Sequence, residues 1–172
     1  YVKGGGYVYT TYLDQQIEGE FVVDLADFPG YLRDDGDSPS KGFELVGEAA
    51  ITDMFTVSGN YTYNDSEDAD GARRARAPEH LANFGLHMNS LECRLQLNLN
   101  LRISRDAPEE SNGKIDDYEV LDISANYEVL DGLEVFARVE NLTDEDYQEL
   151  PTYNTSGAAG YVGVRYSFQS DK

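Results

Sequence analysis

Cysteine, histidine and basic residues are all scarce in this 172-residue chain, and each scarcity excludes something. Cys93 has no second cysteine to pair with, so no internal disulfide framework is available. Two histidines with one cysteine leave a zinc site short of its usual donors. Lys and Arg number 13 against 33 Asp and Glu, a net charge of −20. Binding to a phosphate backbone needs clustered positive charge, so a nucleic-acid partner is not expected. The one basic cluster, Arg73, Arg74 and Arg76, directly follows a run of acids and reads as a solvated loop. Long apolar runs are missing too: nothing approaches the ~20 residues of a membrane helix. No basic start followed by an apolar stretch suggests a signal peptide, and the chain opens on Tyr1, so it reads as processed or as a piece of a longer one. With two histidines and no nucleophile motif, an enzyme is not expected.

What is abundant is tyrosine, with 13 residues beside seven phenylalanines, which suits strands and membrane interfaces. Period-2 alternation recurs along most of the chain, with no convincing helical period. In "LECRLQLNLNLRIS", Leu91, Cys93, Leu95, Leu97, Leu99, Leu101 and Ile103 alternate with Glu92, Arg94, Gln96, Asn98, Asn100, Arg102 and Ser104. Similar patterns predict eight strands near 5–18, 41–51, 54–64, 80–89, 91–104, 117–129, 133–141 and 158–168. Tight turns are expected at Thr52-Asp53, near Ser90 and at Asp131-Gly132; the other four connections, near 19–40, 65–79, 105–116 and 142–157, are long, polar and acidic. Short and long connections therefore alternate, as they do in outer-membrane barrels with short periplasmic turns and long outer loops.

The fold class expected is an all-β, antiparallel transmembrane barrel segment of about eight strands. A sheet can span a bilayer only where every backbone group is paired, and each strand needs ~9–11 residues to cross. The Leu ladder would face lipid. The opposite face, with Arg94, Arg102, Asp122, Glu128, Arg138 and Arg165, would line a watery or ion-paired lumen. A soluble β-sandwich binding module reverses the faces, and periodicity alone does not separate the two. A small closed eight-stranded barrel with a structural or adhesive role is a further alternative.

Several motifs resemble those of TonB-dependent outer-membrane receptors, nearest to cobalamin and siderophore types. Arg76, Pro78 and His80 match an Arg-x-Pro-x-His strand entry. Val139, Glu140, Asn141, Leu142, Asp144 and Tyr147 match a Val-Glu-Asn-Leu-x-Asp-x-x-Tyr segment, and Tyr166 and Phe168 an aromatic last strand read by the assembly machinery. The resemblance implies that residues 1–168 are the C-terminal portion of a barrel of about 22 strands with a plugged lumen, followed by a polar tail at 169–172. It also implies an outer-membrane location in a Gram-negative cell, contact with lipid and lipopolysaccharide, a plug domain and the remaining strands, coupling through the plug to TonB, and a small-molecule cargo such as cobalamin or a ferric siderophore. Two departures stand out: Ser156-Gly157-Ala158 replaces the family's Pro-Gly-Arg before the last strand, and Gln169 to Lys172 follow the terminal aromatic.

No bound cofactor is expected, with one candidate exception. The acidic stretch "DSEDADG" cannot form a helix–loop–helix calcium site, because Ala77 stands where a bidentate Glu is required. An irregular calcium cluster from Asp65, Asp68 and Asp70, or from Asp34, Asp35 and Asp37, is the candidate, against a solvated loop. His80 is expected to make a structural hydrogen bond, and His87 to face the lumen near a periplasmic turn. Cys93 is expected to pack as a small apolar residue on the lipid face.

Overall fold

The computed structural model describes residues 6–24, 30–68, 70–90, 92, 94–109 and 113–168, with 6–38 described by backbone alone. Ten strands occur among them: β1 (Gly6–Asp24), β2 (Gly30–Ala50), β3 (Phe55–Ser66), β4 (His80–Ser90), β5 (Leu95–Arg105), β6 (Ala107–Glu109), β7 (Gly113–Ile115), β8 (Tyr118–Leu130), β9 (Leu133–Glu140) and β10 (Ala159–Tyr166). Eight form one antiparallel sheet in the order β1-β2-β3-β4-β5-β8-β9-β10, and β6 pairs with β7 in a small separate hairpin. Each strand of the large sheet lies beside its sequence neighbour, apart from the β6–β7 excursion. β1 and β10 occupy the two edges of an open sheet.

Register turns the alternation of each strand into two continuous faces. Leu86, Leu99 and Ile123 lie in one cross-strand row, as do Phe84, Leu101 and Leu121. The row through Val135 continues to Tyr127 on one side and Val164 on the other. This apolar face looks outward rather than into a core: Phe84 is 52% exposed and Val162 85%. A water-soluble domain would bury such rows. The reverse face carries Asn60, Asn83 and Arg102 in one row and His87, Asn98 and Ser124 in another. His87 Nδ1 and Asn98 Oδ1 share a 2.6 Å hydrogen bond there. Arg165 and Glu134 are direct register partners and form an ion pair at 2.8 Å.

The short connections β2–β3, β4–β5 and β8–β9 all lie at one end of the sheet. Between β2 and β3 the Thr52 hydroxyl accepts hydrogen bonds from the Met54 and Phe55 N–H groups. Between β8 and β9, Gly132 has φ +77°, and an added Cβ would run into the Ser167 carbonyl. Any other residue would be strained there.

Three boundaries differ from the expectation. The Leu ladder enters the sheet at Leu95, which pairs with Ser90; Leu91 and Cys93 lie outside the described residues. The connection expected at 19–40 is largely strand. β1 and β2 stay paired as far as Asp24 and Gly30, with one irregularity between Glu18 and Glu20. This arm runs well beyond β3, which ends at Ser66 opposite Ser40. Backbone pairing continues there without the apolar alternation that marks the rest of the sheet. The connection expected at 105–116 contains the β6–β7 hairpin.

Candidate functional site

At the long-loop end of the sheet, two loops interlock and a third folds onto the polar face. The first two are the β3–β4 connection and the β6–β7 hairpin. Arg76 donates its backbone N–H to the Pro108 carbonyl at 2.7 Å, and its guanidinium meets Glu109 at 3.2 Å. Arg73 reaches Glu79 at 2.6 Å and the Asp106 carbonyl at 3.1 Å. The basic cluster that read as a solvated loop is thus a clamp between loops far apart in sequence. Arg76 has φ +63°, a left-handed backbone uncommon outside glycine.

Lys114 extends the clamp, contacting Asp106 at 3.0 Å and Asp117 at 3.3 Å. Those two hydrogen bonds hold the Lys114 ammonium above its ordinary pKa. Asp117 is held below the usual carboxylate value. Burial opposes that shift, but the Asp106 N–H at 2.9 Å and the Lys114 ammonium outweigh it.

The third loop, 141–158, is folded by one side chain. Asn141 is 3% exposed and has φ +49°. Its Nδ2 donates to the Glu145 carbonyl at 2.9 Å and the Ser156 carbonyl at 3.3 Å, while its Oδ1 accepts the Glu145 N–H at 2.8 Å. Its own N–H donates to Asp122 at 2.9 Å. Asp144 closes the far side by accepting the Ala158 N–H at 2.8 Å. The loop is therefore gathered at both ends around Asn141 and tied to β8 through Asp122.

Folded this way, the loop delivers Tyr147 to the polar face. The Tyr147 ring lies 4.6 Å from that of Tyr118, and Arg102 donates to the Tyr147 hydroxyl at 3.0 Å. The Arg102 guanidinium lies 5.8 Å from both ring centres and pairs with Glu149 at 3.1 Å. Beneath this cover Val120 is 2% exposed, and Ser104 is likewise buried. A polar cavity of about 430 Å³ lies between the loop and the strands, lined by Arg102, Asp122, Glu140, Tyr147 and Glu149 among others. Beside it a second, of about 340 Å³, is lined by Lys114, Asp116, Asp146 and Tyr147.

The motif residues fall into separate neighbourhoods. Asn141, Asp144 and Tyr147 act together in the third loop. Leu142 is exposed but donates its N–H to the Leu121 carbonyl. His80 sits at the strand entry, its Nδ1 sharing a 2.7 Å hydrogen bond with the Tyr61 hydroxyl and its ring stacked on Tyr61. Phe43 and Tyr63 join this aromatic group at the long-loop end of the apolar face. Tyr166 and Phe168 stand at the opposite end with their rings edge to face at 4.5 Å. Residues 169–172 lie outside the described residues.

Asp65, Asp68 and Asp70 are not brought into one cluster. Asp68 turns its carboxylate onto the backbone N–H groups of Asp70 and Ala72. Asp34, Asp35 and Asp37 lie in the first part of β2, up to residue 38, where only the backbone is described. Among the described residues no group of three or more His, Cys, Asp or Glu is arranged to hold a metal ion. Arg102 lies on the polar face, as its place in the Leu ladder predicts, but its pairing with Tyr147 and Glu149 and the clamp around Lys114 carry no signal in the sequence.

Residues 2–142 match the family described as "TonB dependent receptor-like, beta-barrel". The chain belongs to that family. The vitamin B12 transporter BtuB of Vibrio cholerae serotype O1 is 25% identical over 142 residues, covering 77% of this chain and 22% of that protein. The BtuB of Vibrio vulnificus is 49% identical over 55 residues, covering 31% of this chain and 8% of that one. This chain therefore spans about a fifth of the V. cholerae relative. Among solved structures, the copper transporter OprC superposes with TM-score 0.79 at 16% identity, covering 95% of this chain and 28% of OprC. The FrpB iron transporter of Neisseria meningitidis gives 0.76 at 18%, covering 98% and 30%. These likenesses carry the fold: the exposed apolar face is the outside of a barrel wall and the polar face its lumen.

Proposed function

We propose that this chain serves as wall and outer loops of a TonB-dependent outer-membrane transporter that imports a scarce, bulky nutrient such as a cobalamin or a ferric siderophore. The observation that carries this reading is the two-faced sheet, apolar and exposed on one side and polar on the other, in a chain matched to the receptor family. The outward face meets outer-membrane lipid, and the acidic outer loops meet lipopolysaccharide. A plug domain fills the lumen and transmits the pull of TonB. The relatives named vitamin B12 transporters support cobalamin as one cargo class, and the iron transporter supports a metal chelate as the other. The edge positions of β1 and β10 favour a wall within a wider barrel over eight strands closing on themselves.

The test is genetic. A Gram-negative host lacking its own receptors receives the full reading frame that contains this chain and is grown on limiting cobalamin or limiting chelated iron. Growth that depends on both this reading frame and TonB is the expected outcome. Growth that persists without TonB would sink the active-transport reading.

A further inference from the structure

Charge at the outer mouth sorts candidate cargoes by their own charge. Loop 141–158 carries Asp144, Glu145, Asp146 and Glu149 and no Lys or Arg. Arg102, the cation lining the larger cavity, already meets Glu149 and the Tyr147 hydroxyl. Lys114, the cation lining the neighbouring cavity, already meets Asp106 and Asp117. Several wall groups are also engaged: one Asp122 oxygen accepts the Asn141 N–H, Glu140 pairs with Arg138 at 3.2 Å, Asn154 accepts from Gln148, and the Thr155 hydroxyl donates to the Tyr147 carbonyl. The second carboxylate oxygens of Asp122 and Glu140 are the acceptors left facing the cavity. An approaching anion meets repulsion in a concave site whose low-dielectric walls strengthen the field, while N–H and O–H donors meet the remaining carboxylate lone pairs of Asp122 and Glu140.

Resting on the transport reading above, we propose that the cavity between loop 141–158 and the ends of β5 and β8 is a cargo subsite for an uncharged or cationic molecule rich in N–H and O–H donors. It discriminates against anionic metal chelates. Tyr147 and Arg102 hold the loop at the distance that keeps the cavity open, and the four loop acids set the sign of the field.

The experiment uses outer-membrane vesicles carrying the full reading frame and three labelled probes: cyanocobalamin, uncharged and amide-rich; ferrioxamine B, cationic; and a ferric tris-catecholate, anionic. Unmodified protein is expected to bind cyanocobalamin or ferrioxamine B at least about tenfold more tightly than the catecholate. The double variant E145K/D146K is expected to raise catecholate affinity about tenfold at low salt, with the gain shrinking as salt rises. The milder pair E145Q/D146N gives a smaller shift of the same sign should the lysine variant fail to assemble. Catecholate as the tightest ligand of unmodified protein, or catecholate binding indifferent to both variants, overturns the subsite while leaving the transporter intact. Failure of all three probes, with no TonB-dependent growth, overturns the transport reading and the subsite with it.

Discussion

In β4, β5 and β8 the backbone ladder continues from residue to residue, and side chains decide only which way the wall faces. In loop 141–158 the balance is reversed: the shape is set by Asn141, Asp144 and Tyr147 reaching backbone and side-chain partners across the loop and the sheet. The wall's order is spread over many similar contacts, so it tolerates change on one face and resists it on the other. The loop's order is concentrated in a few side chains, so each of them matters locally and none of them matters to the wall.

The sharpest break in that comparison is a charge on the apolar face. Leu99→Arg, in the middle of β5, is expected to cost about 2–4 kcal/mol of folding stability in lipid. Asn100→Arg, its neighbour on the lumen face and opposite Asp122, is expected to cost less than about 1 kcal/mol. Urea titration of both variants refolded into lipid vesicles measures the difference. Equal costs would mean that the faces have been assigned the wrong environments.

Next in size is the knot. Asn141→Ala removes three hydrogen bonds from a buried amide and leaves the Glu145 backbone groups and the Ser156 carbonyl without that partner, an expected cost of about 1–3 kcal/mol confined to the loop. Limited proteolysis at the exposed Tyr153 should accelerate while the unfolding midpoint of the barrel stays put. A falling midpoint would show that loop and wall are one cooperative unit.

Tyr147→Phe tests the tip of the same loop. It removes the hydroxyl that accepts from Arg102 but keeps the ring against Tyr118, with an expected cost of about 1 kcal/mol. Fluorescence of a probe attached near Asn154 should report a more mobile loop. Glu149→Gln, which weakens a solvent-exposed ion pair, should move it less.

The smallest effect belongs to the β6–β7 clamp and depends on pH. Asp117 ionises more readily in the fold than as a free side chain, so its contribution is full above the ordinary carboxylate pKa, about 3.9, and is lost as pH falls through its lowered value. The pKa of Lys114 is raised, so its contribution is full below about 10.4 and is lost as pH rises through the raised value. Hydrogen exchange of the Lys114 and Ile115 amides, corrected for intrinsic rate, should be flat between these limits and rise outside them. A step near neutral pH would assign the clamp to some other group.

The strands were legible because lipid on one side and polar surroundings on the other impose period 2 on every residue between them. Leu95 to Ile103 shows this without any coordinates. The β1–β2 arm was misread as loop because it extends beyond the other strands, where pairing needs backbone only and the sequence carries no alternation. The Arg73–Asp106 and Arg76–Glu109 contacts were illegible for a different reason: loops with no period come together only after the strands beneath them are in register. The motif around Asn141 stood out by resemblance, but its physical role, a buried amide gathering its own loop, needed the fold.

By itself, then, the sequence determined that this chain is a two-faced antiparallel wall with turns at one end and acidic loops at the other. That follows from alternation and turn chemistry, which are local. Tertiary structure alone decided that loop 141–158 lies on the lumen face, that Tyr147 and Arg102 meet there, and that a cavity with acceptor walls remains beneath. Those outcomes depend on which strand ends stand side by side, and no single stretch of the chain encodes that.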